Sequence, residues 1–133
     1  MSVRKGERKE SNLKYIQDAQ ILCQYTINMC NNTNHFPEPA LSYEIKHEAL
    51  EILKNIRYSF ATYTYNKKNI QLILRYQVDA LAHIDALYAL LDLVYNDNTY
   101  KIAPNSMEYW IGLVINVEDS LKNLGSIPIC TKE

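Results

Sequence analysis

Apolar residues recur along this chain at alternating steps of three and four, the spacing that places side chains on one face of an α-helix. Four stretches carry this pattern, and polar segments rich in Asn, Pro, Asp or Lys separate them. Asn and Pro disfavour helix interiors, so these segments are expected to be loops. The pattern predicts helices over about residues 11–30, 40–63, 69–96 and 105–125.

The third stretch has the widest apolar surface. Its main line follows steps of 4, 3, 4, 3, 4, 3 and 4, a coiled-coil-like seam formed by Ile70, Leu74, Gln77, Leu81, Ile84, Tyr88, Leu91 and Tyr95. A second line recurs at intervals of seven and consists of Ile73, Ala80, Leu87 and Val94. Two interpretations are open: this helix is the most buried of the four, or the second line is an oligomer interface with another subunit.

Length and composition favour long helices in one domain. The chain has 133 residues, enough for a core without disulfides or metal, and only three Gly and four Pro, too few for many tight turns. The predicted fold class is therefore all-α, an antiparallel up-down-up-down four-helix bundle. We expect the bundle over 11–127, a disordered basic N-terminal arm over 1–10 and a C-terminal tail over 128–133.

The expected environment is the cytoplasm. No apolar run approaches the roughly 20 residues that cross a bilayer, so no membrane association is expected. The polar start of the sequence does not resemble a secretory signal. The cysteines, Cys23, Cys30 and Cys130, have no metal-site spacing and are interpreted as small buried residues in a reducing compartment.

Few residues suggest catalysis. Di-metal carboxylate bundles need a Glu-x-x-His pair on each of two helices, and Glu44 with His47 supplies the single match. His83 has Ala80 three positions before it rather than Glu, and is expected to be a partly buried histidine. The second predicted helix is interpreted as having a solvated charged face, formed by Glu44, His47, Glu48 and Glu51. With no Gly-rich phosphate loop either, we expect no enzyme, metal or cofactor.

Charge is distributed unevenly along the chain. Between residues 52 and 78 there are five basic residues and no acidic one, whereas 79–119 holds seven acids against one lysine. In an antiparallel bundle the end of the second helix and the start of the third meet, and Tyr58, Tyr63, Tyr65 and Tyr76 lie there too. This pole is either a surface for RNA or an acidic protein, or ordinary surface charge beside core tyrosines.

Several segments resemble a known family. Phe36-Pro37 leads into Leu-Ser-Tyr-Glu-Ile at 41–45 and Ala-Leu-Glu-Ile-Leu-Lys-Asn-Ile at 49–56, and Leu-Lys-Asn-Leu-Gly-Ser-Ile follows at 121–127. The pattern resembles the accessory variability determinants of diversity-generating retroelements, four-helix proteins related to the ribosomal intervening-sequence proteins. It covers about residues 12–127.

This resemblance implies a ring-shaped homo-pentamer that binds the element's reverse transcriptase and template RNA. Such a protein supports error-prone cDNA synthesis without being a polymerase. Family members with this role tend to be strongly basic, whereas this chain has a formal net charge of −1. Weight therefore shifts to the local basic pole and to protein–protein contacts. The positions that the resemblance assigns to contact with the transcriptase or RNA are Lys54, Arg57, Lys67, Lys68 and Arg75, and Lys122 lies where the family's closing segment has a basic residue.

One alternative function stays open. The related intervening-sequence proteins suggest a self-assembling structural bundle with no reverse-transcriptase partner. Under that alternative, the basic residues of the pole serve only as surface charge.

Overall fold

The computed structural model describes the backbone of residues 2–130 and the side chains of residues 14–123. Over this range the chain forms four α-helices and no strand: α1 (Ser2–Cys30), α2 (Pro39–Tyr65), α3 (Ile70–Tyr95) and α4 (Pro104–Cys130). The expected all-helical class and the number of helices are confirmed for these residues. None of the described helices combines the length and apolarity that crossing a membrane requires.

The first and last helices extend beyond their predicted boundaries. α1 begins at Ser2 rather than near Ser11, so its range includes the segment expected to be a disordered arm. That segment is rich in Arg, Lys and Glu, which have high helix propensity. α4 continues past Gly125 to Cys130. The separation of arm and tail from the bundle stays a prediction, and residues 131–133 lie outside the described part of the chain.

Local signals explain where the middle helices begin. Pro39 occupies the first turn of α2, where its missing N–H leaves no hydrogen bond unmade. Asn69 caps α3, and its side chain accepts a hydrogen bond from the backbone N–H of Leu72 at 3.3 Å. The connection between α2 and α3 is consequently short, spanning residues 66–69.

One hydrophobic core draws side chains from all four helices. Contacts join α1 to α2, α2 to α3, α3 to α4 and α4 to α1, with α2 and α3 packed most extensively and α3 and α4 least. Trp110, in the second turn of α4, is fully buried, and its indole N–H donates to the hydroxyl of Thr26 at 2.9 Å. Phe36, from the loop after α1, is also buried, with its ring 6.2 Å from that of Trp110. The loop is thereby fixed to the core.

The inward-facing line of α3 differs from the predicted seam. Its buried residues follow steps of 4, 3, 4, 3, 4 and 3 and are Ile73, Gln77, Ala80, Ile84, Leu87, Leu91 and Val94. Three positions of the predicted seam belong to this line, whereas Leu74, Leu81 and Tyr88 are only half-buried and Tyr95 is exposed.

The predicted oligomer interface therefore requires correction. Ile73, Ala80, Leu87 and Val94 are at most 1% exposed within the single chain, so they cannot form a surface for another subunit. The prediction was wrong because two neighbouring lines on α3 both satisfy the spacing of three and four. Only the positions of α2 and α4 on either side decide which line faces the core.

Candidate nucleic-acid interface

The turn between α2 and α3 forms one end of the molecule. The backbone N–H of Asn66 bonds to the Thr62 carbonyl at 2.7 Å, which ends α2, and Asn69 then caps α3. Lys67 and Lys68 lie in this turn and are exposed. The surrounding surface, called here the tyrosine–cation end, consists of Arg57, Tyr58, Tyr63, Tyr65, Lys67, Lys68, Arg75 and Tyr76.

Aromatic rings from both helices meet at this end. The rings of Tyr58 and Tyr76 lie 5.2 Å apart and join α2 to α3. Tyr65 is 87% exposed, far more than a core tyrosine. Tyr63 is also exposed, and the ammonium of Lys67 lies 5.8 Å from the centre of its ring. Tyr58, Tyr63 and Tyr65 are therefore surface rather than core residues, and whether the charge beside them binds a partner stays a prediction.

Four of the six predicted contact residues lie at the tyrosine–cation end. Arg57 and Arg75 are each one position from the Tyr58–Tyr76 ring pair, so the ring contact brings their helical turns together. Among the described side chains, Arg57, Lys68 and Arg75 form no salt bridge. Their charges remain available to an anionic partner.

The other two predicted residues are already paired with acids. Lys54 bonds to Glu51 at 3.2 Å, and this hydrogen bond, with the charge of Glu51, raises the pKa of Lys54. Lys122 bonds to Glu118 on α4, also at 3.2 Å. Both pairs lie within one helix at spacings of three or four, a relation that sequence alone could have revealed. These two residues are accordingly weaker candidates for binding.

The first helix also reaches this end. Burial raises the pKa of Tyr15 in α1 above its usual range, and the positive charge of nearby Arg57 opposes that shift. Arg57 is therefore close to α1 as well as to α3. The basic side chains of the predicted arm, Arg4, Lys5, Arg8 and Lys9, lie outside the described side chains.

A histidine–carboxylate pair joins α2 to α3 and was missed by sequence reasoning. His83 is partly buried, as expected, and its Nδ1 lies 2.6 Å from a carboxylate oxygen of Glu48. The two residues are 35 positions apart, so only the packing of the helices reveals the pair. Glu48 is thus half-buried rather than on an open solvated face.

The described side chains contain no group of three or more His, Cys, Asp or Glu that could hold a metal ion. His47, from the Glu-x-x-His match, is exposed and stacks on Tyr43 with ring centres 6.3 Å apart. His47 takes no part in the hydrogen bond between His83 and Glu48.

The two described cysteine side chains are buried, as predicted. Burial raises the pKa of both Cys23 and Cys30 to about 12. The thiol of Cys23 donates to the Ala49 carbonyl at 2.9 Å. Thiols of this kind are protonated at neutral pH and are poor nucleophiles. The side chain of Cys130 lies outside the described residues.

The tyrosine–cation end has the chemistry of a surface for single-stranded nucleic acid. Exposed rings offer stacking platforms for bases, and cations beside them neutralise phosphates. No protein-family model, curated protein or solved structure matches this chain.

Proposed function

We propose that this protein is a non-enzymatic accessory factor of a diversity-generating retroelement. In this role it binds the element's reverse transcriptase and template RNA and supports mutagenic cDNA synthesis. The observation that carries the proposal is the tyrosine–cation end, where exposed tyrosines lie among cations without described salt-bridge partners. The sequence resemblance supplies the identity of the partners.

The energies of stacking and of charge attraction favour RNA binding at one local surface rather than over the whole protein. Base stacking on an exposed aromatic ring is worth about 1–3 kcal/mol, so a few tyrosines suffice for moderate affinity. A net charge of −1 gives no general attraction to RNA. We therefore assign the contacts to Tyr63, Tyr65 and the cations beside them.

The antiparallel up-down-up-down order of the helices forms part of this proposal. Gln77 bonds to Ser59, whereas His83, farther along α3, bonds to Glu48, earlier in α2. Leu91 and Tyr95, near the end of α3, line one groove with Pro104 and Met107 at the start of α4. These pairs favour neighbouring helices that run in opposite directions, an arrangement that gathers α2, α3 and the start of α1 at the tyrosine–cation end.

A cytoplasmic homo-oligomer, a pentameric ring, also belongs to the proposal. With the second line of α3 buried, the apolar residues left outside are different ones: Val78 is 61% exposed and Leu93 is 60% exposed. They supply an outward apolar surface on α3. Repetition of one tyrosine–cation end around a ring would strengthen weak binding through multivalency.

Capture of the protein from cells tests the proposal. The tagged chain is co-expressed with the reverse transcriptase encoded nearest to it and that element's RNA, and captured complexes are sized. We expect a complex containing one transcriptase and several copies of this chain. Recovery of the chain alone, at low as well as high salt, contradicts the proposal and favours the self-assembling structural bundle.

A variant of the tyrosine–cation end makes the test specific. Replacement of Arg57, Lys67, Lys68 and Arg75 by Gln should abolish capture of the transcriptase and RNA while preserving helicity and the size of the oligomer. All four are exposed, so the fold does not depend on their charges. Unchanged capture by a folded variant would remove this end from the binding surface.

A further inference from the structure

A long apolar groove runs between α3 and α4, at the opposite end of α3 from the tyrosine–cation end. It has a volume of about 720 Å³. Leu91 and Tyr95 contribute from α3, and Met107, Ile111 and Ile115 from α4. The groove exists because α3 and α4 are the least closely packed pair of neighbouring helices. Its centre lies about 25 Å along α3 from Arg75, given a rise of about 1.5 Å per residue.

Gly112 keeps the groove open in the middle. It lines the groove, and a Cβ atom added to it meets no other atom within 4 Å. Glycine in a helix interior costs about 1 kcal/mol relative to alanine. The fold would therefore gain from a larger residue at this position, and the open space is not needed for packing within the chain.

The rims of the groove are acidic. Asp92 and Glu108 line it and are exposed. The acidic line continues on both helices. Asp85 lies seven positions before Asp92 on the same face of α3, and Asp119 lies seven positions after Gly112 on the same face of α4; both are exposed. Lys122, the basic residue at the end of the α4 side, is paired with Glu118. An apolar floor between acidic rims is complementary to a partner that has both an apolar face and positive charge.

We propose that this groove binds a basic amphipathic helix of a partner protein, with apolar side chains in the groove and Lys or Arg against the rims. From Pro104 to Ile115 the α4 wall is about 16 Å long, about three turns of helix. That length accommodates anchors at positions i, i+3 or i+4, and i+7. This inference is independent of the RNA-binding proposal, because it concerns a different surface of opposite charge.

Synthetic peptides about three turns long test the proposal directly. The probe carries Leu along one helical stripe and Lys elsewhere. A scrambled peptide of the same composition places Leu around the whole helix, and a third peptide replaces each Lys with Glu. Binding to the full-length protein is followed by fluorescence anisotropy. We expect saturable binding of the amphipathic basic peptide, and affinities for the other two at least about tenfold weaker.

Two variants locate the binding to the groove. Gly112→Leu fills the open space, and Asp92→Lys with Glu108→Lys reverses the charge of the rims. Each should weaken binding of the basic peptide by about tenfold or more, with helicity and thermal stability retained. Asp79→Lys with Glu44→Lys is the matched control. Both residues are exposed and lie outside the groove, so this charge reversal should leave affinity within about twofold.

Three binding results overturn the proposal, and so does self-association through the groove. One is absence of saturable binding, another is equal binding of all three peptides, and the third is affinity unaffected by Gly112→Leu in a folded protein. The groove could also be covered by a second copy of this chain. In that case Gly112→Leu would dissociate a wild-type oligomer in sedimentation experiments, which assigns the groove to self-association and contradicts a partner helix.

Discussion

At the scale of single residues, the interior combines apolar packing with a few buried polar contacts. Trp110 and Thr26 are fully buried and satisfy each other through one hydrogen bond. Gln77 similarly donates to the Ser59 hydroxyl between α3 and α2 at 3.2 Å. Every fully buried polar side-chain atom among the described residues has a partner. Such contacts fix the mutual positions of helices more specifically than apolar surfaces alone.

The contact between Trp110 and Thr26 should therefore contribute to stability. Thr26→Val removes the acceptor and leaves the indole N–H buried without a partner, which should lower the free energy of unfolding by about 1–3 kcal/mol. Urea denaturation measures this change. The double variant Trp110→Phe with Thr26→Val removes both polar groups. Its loss in free energy of unfolding should therefore be smaller than the sum of the losses of the two single variants. Additive costs would contradict an energetic role for the hydrogen bond.

Burial of the thiols predicts low reactivity and a dependence of stability on alkaline pH. In a Cys130→Ser variant, Cys23 and Cys30 should react with a thiol reagent at pH 8 only after denaturant is added. Their pKa values rise from 9.0 in the unfolded chain to about 12 in the fold. Above pH 9 the unfolded chain loses these protons first, so the free energy of unfolding should fall between pH 9 and 12. Rapid reaction of the native protein would contradict their burial.

At the scale of helices, the sequence predicted the number of elements but not the orientation of α3. Periodicity and Asn- or Pro-rich loops give four helices, because these signals are local. Two neighbouring lines on α3 fit the same spacing, and the choice between them depends on how α2 and α4 pack. The pair between His83 and Glu48 likewise could not be predicted from the sequence, because it joins residues far apart along the chain and depends on how α2 and α3 pack.

Substitutions on α3 test which line is internal. Leu87 is fully buried, so Leu87→Ala should lower the free energy of unfolding by about 2–5 kcal/mol. Leu93→Ala is the matched control: it makes the same chemical change at a position that is 60% exposed and should cost less than about 0.5 kcal/mol. Chemical denaturation compares the two. Equal costs, or a larger cost at Leu93, would contradict the assigned orientation.

At the scale of the whole molecule, two surfaces of opposite charge lie toward opposite ends of α3. The tyrosine–cation end could be anticipated from sequence, because its cations and tyrosines are close together along the chain. The pairing of Lys54 and Lys122 with acids was not anticipated, although it follows local spacing. The apolar groove with acidic rims could not be predicted, since it arises from the loose packing of α3 against α4.

Stacking at the tyrosine–cation end can be separated from charge. Tyr65→Ala should weaken binding of single-stranded RNA by about 1–3 kcal/mol without changing its salt dependence, because the ring carries no charge. Fluorescence anisotropy at several salt concentrations measures both quantities. Tyr43→Ala is the matched control, since Tyr43 is another exposed tyrosine but lies on α2 away from this end. Equal losses for the two variants would contradict a specific stacking role for Tyr65.

The most direct measurement of the central claim is the affinity for single-stranded RNA of two variants with the same change in charge. Lys67→Gln with Lys68→Gln alters the tyrosine–cation end, whereas Lys46→Gln with Lys101→Gln alters lysines near the opposite ends of the helices. We predict that the first pair weakens binding strongly and reduces the slope of log affinity against log salt by about 1.4, as for two lost phosphate contacts. The second pair should have little effect. Equal effects of the two pairs, or no binding by the wild-type protein, would contradict RNA binding at this end.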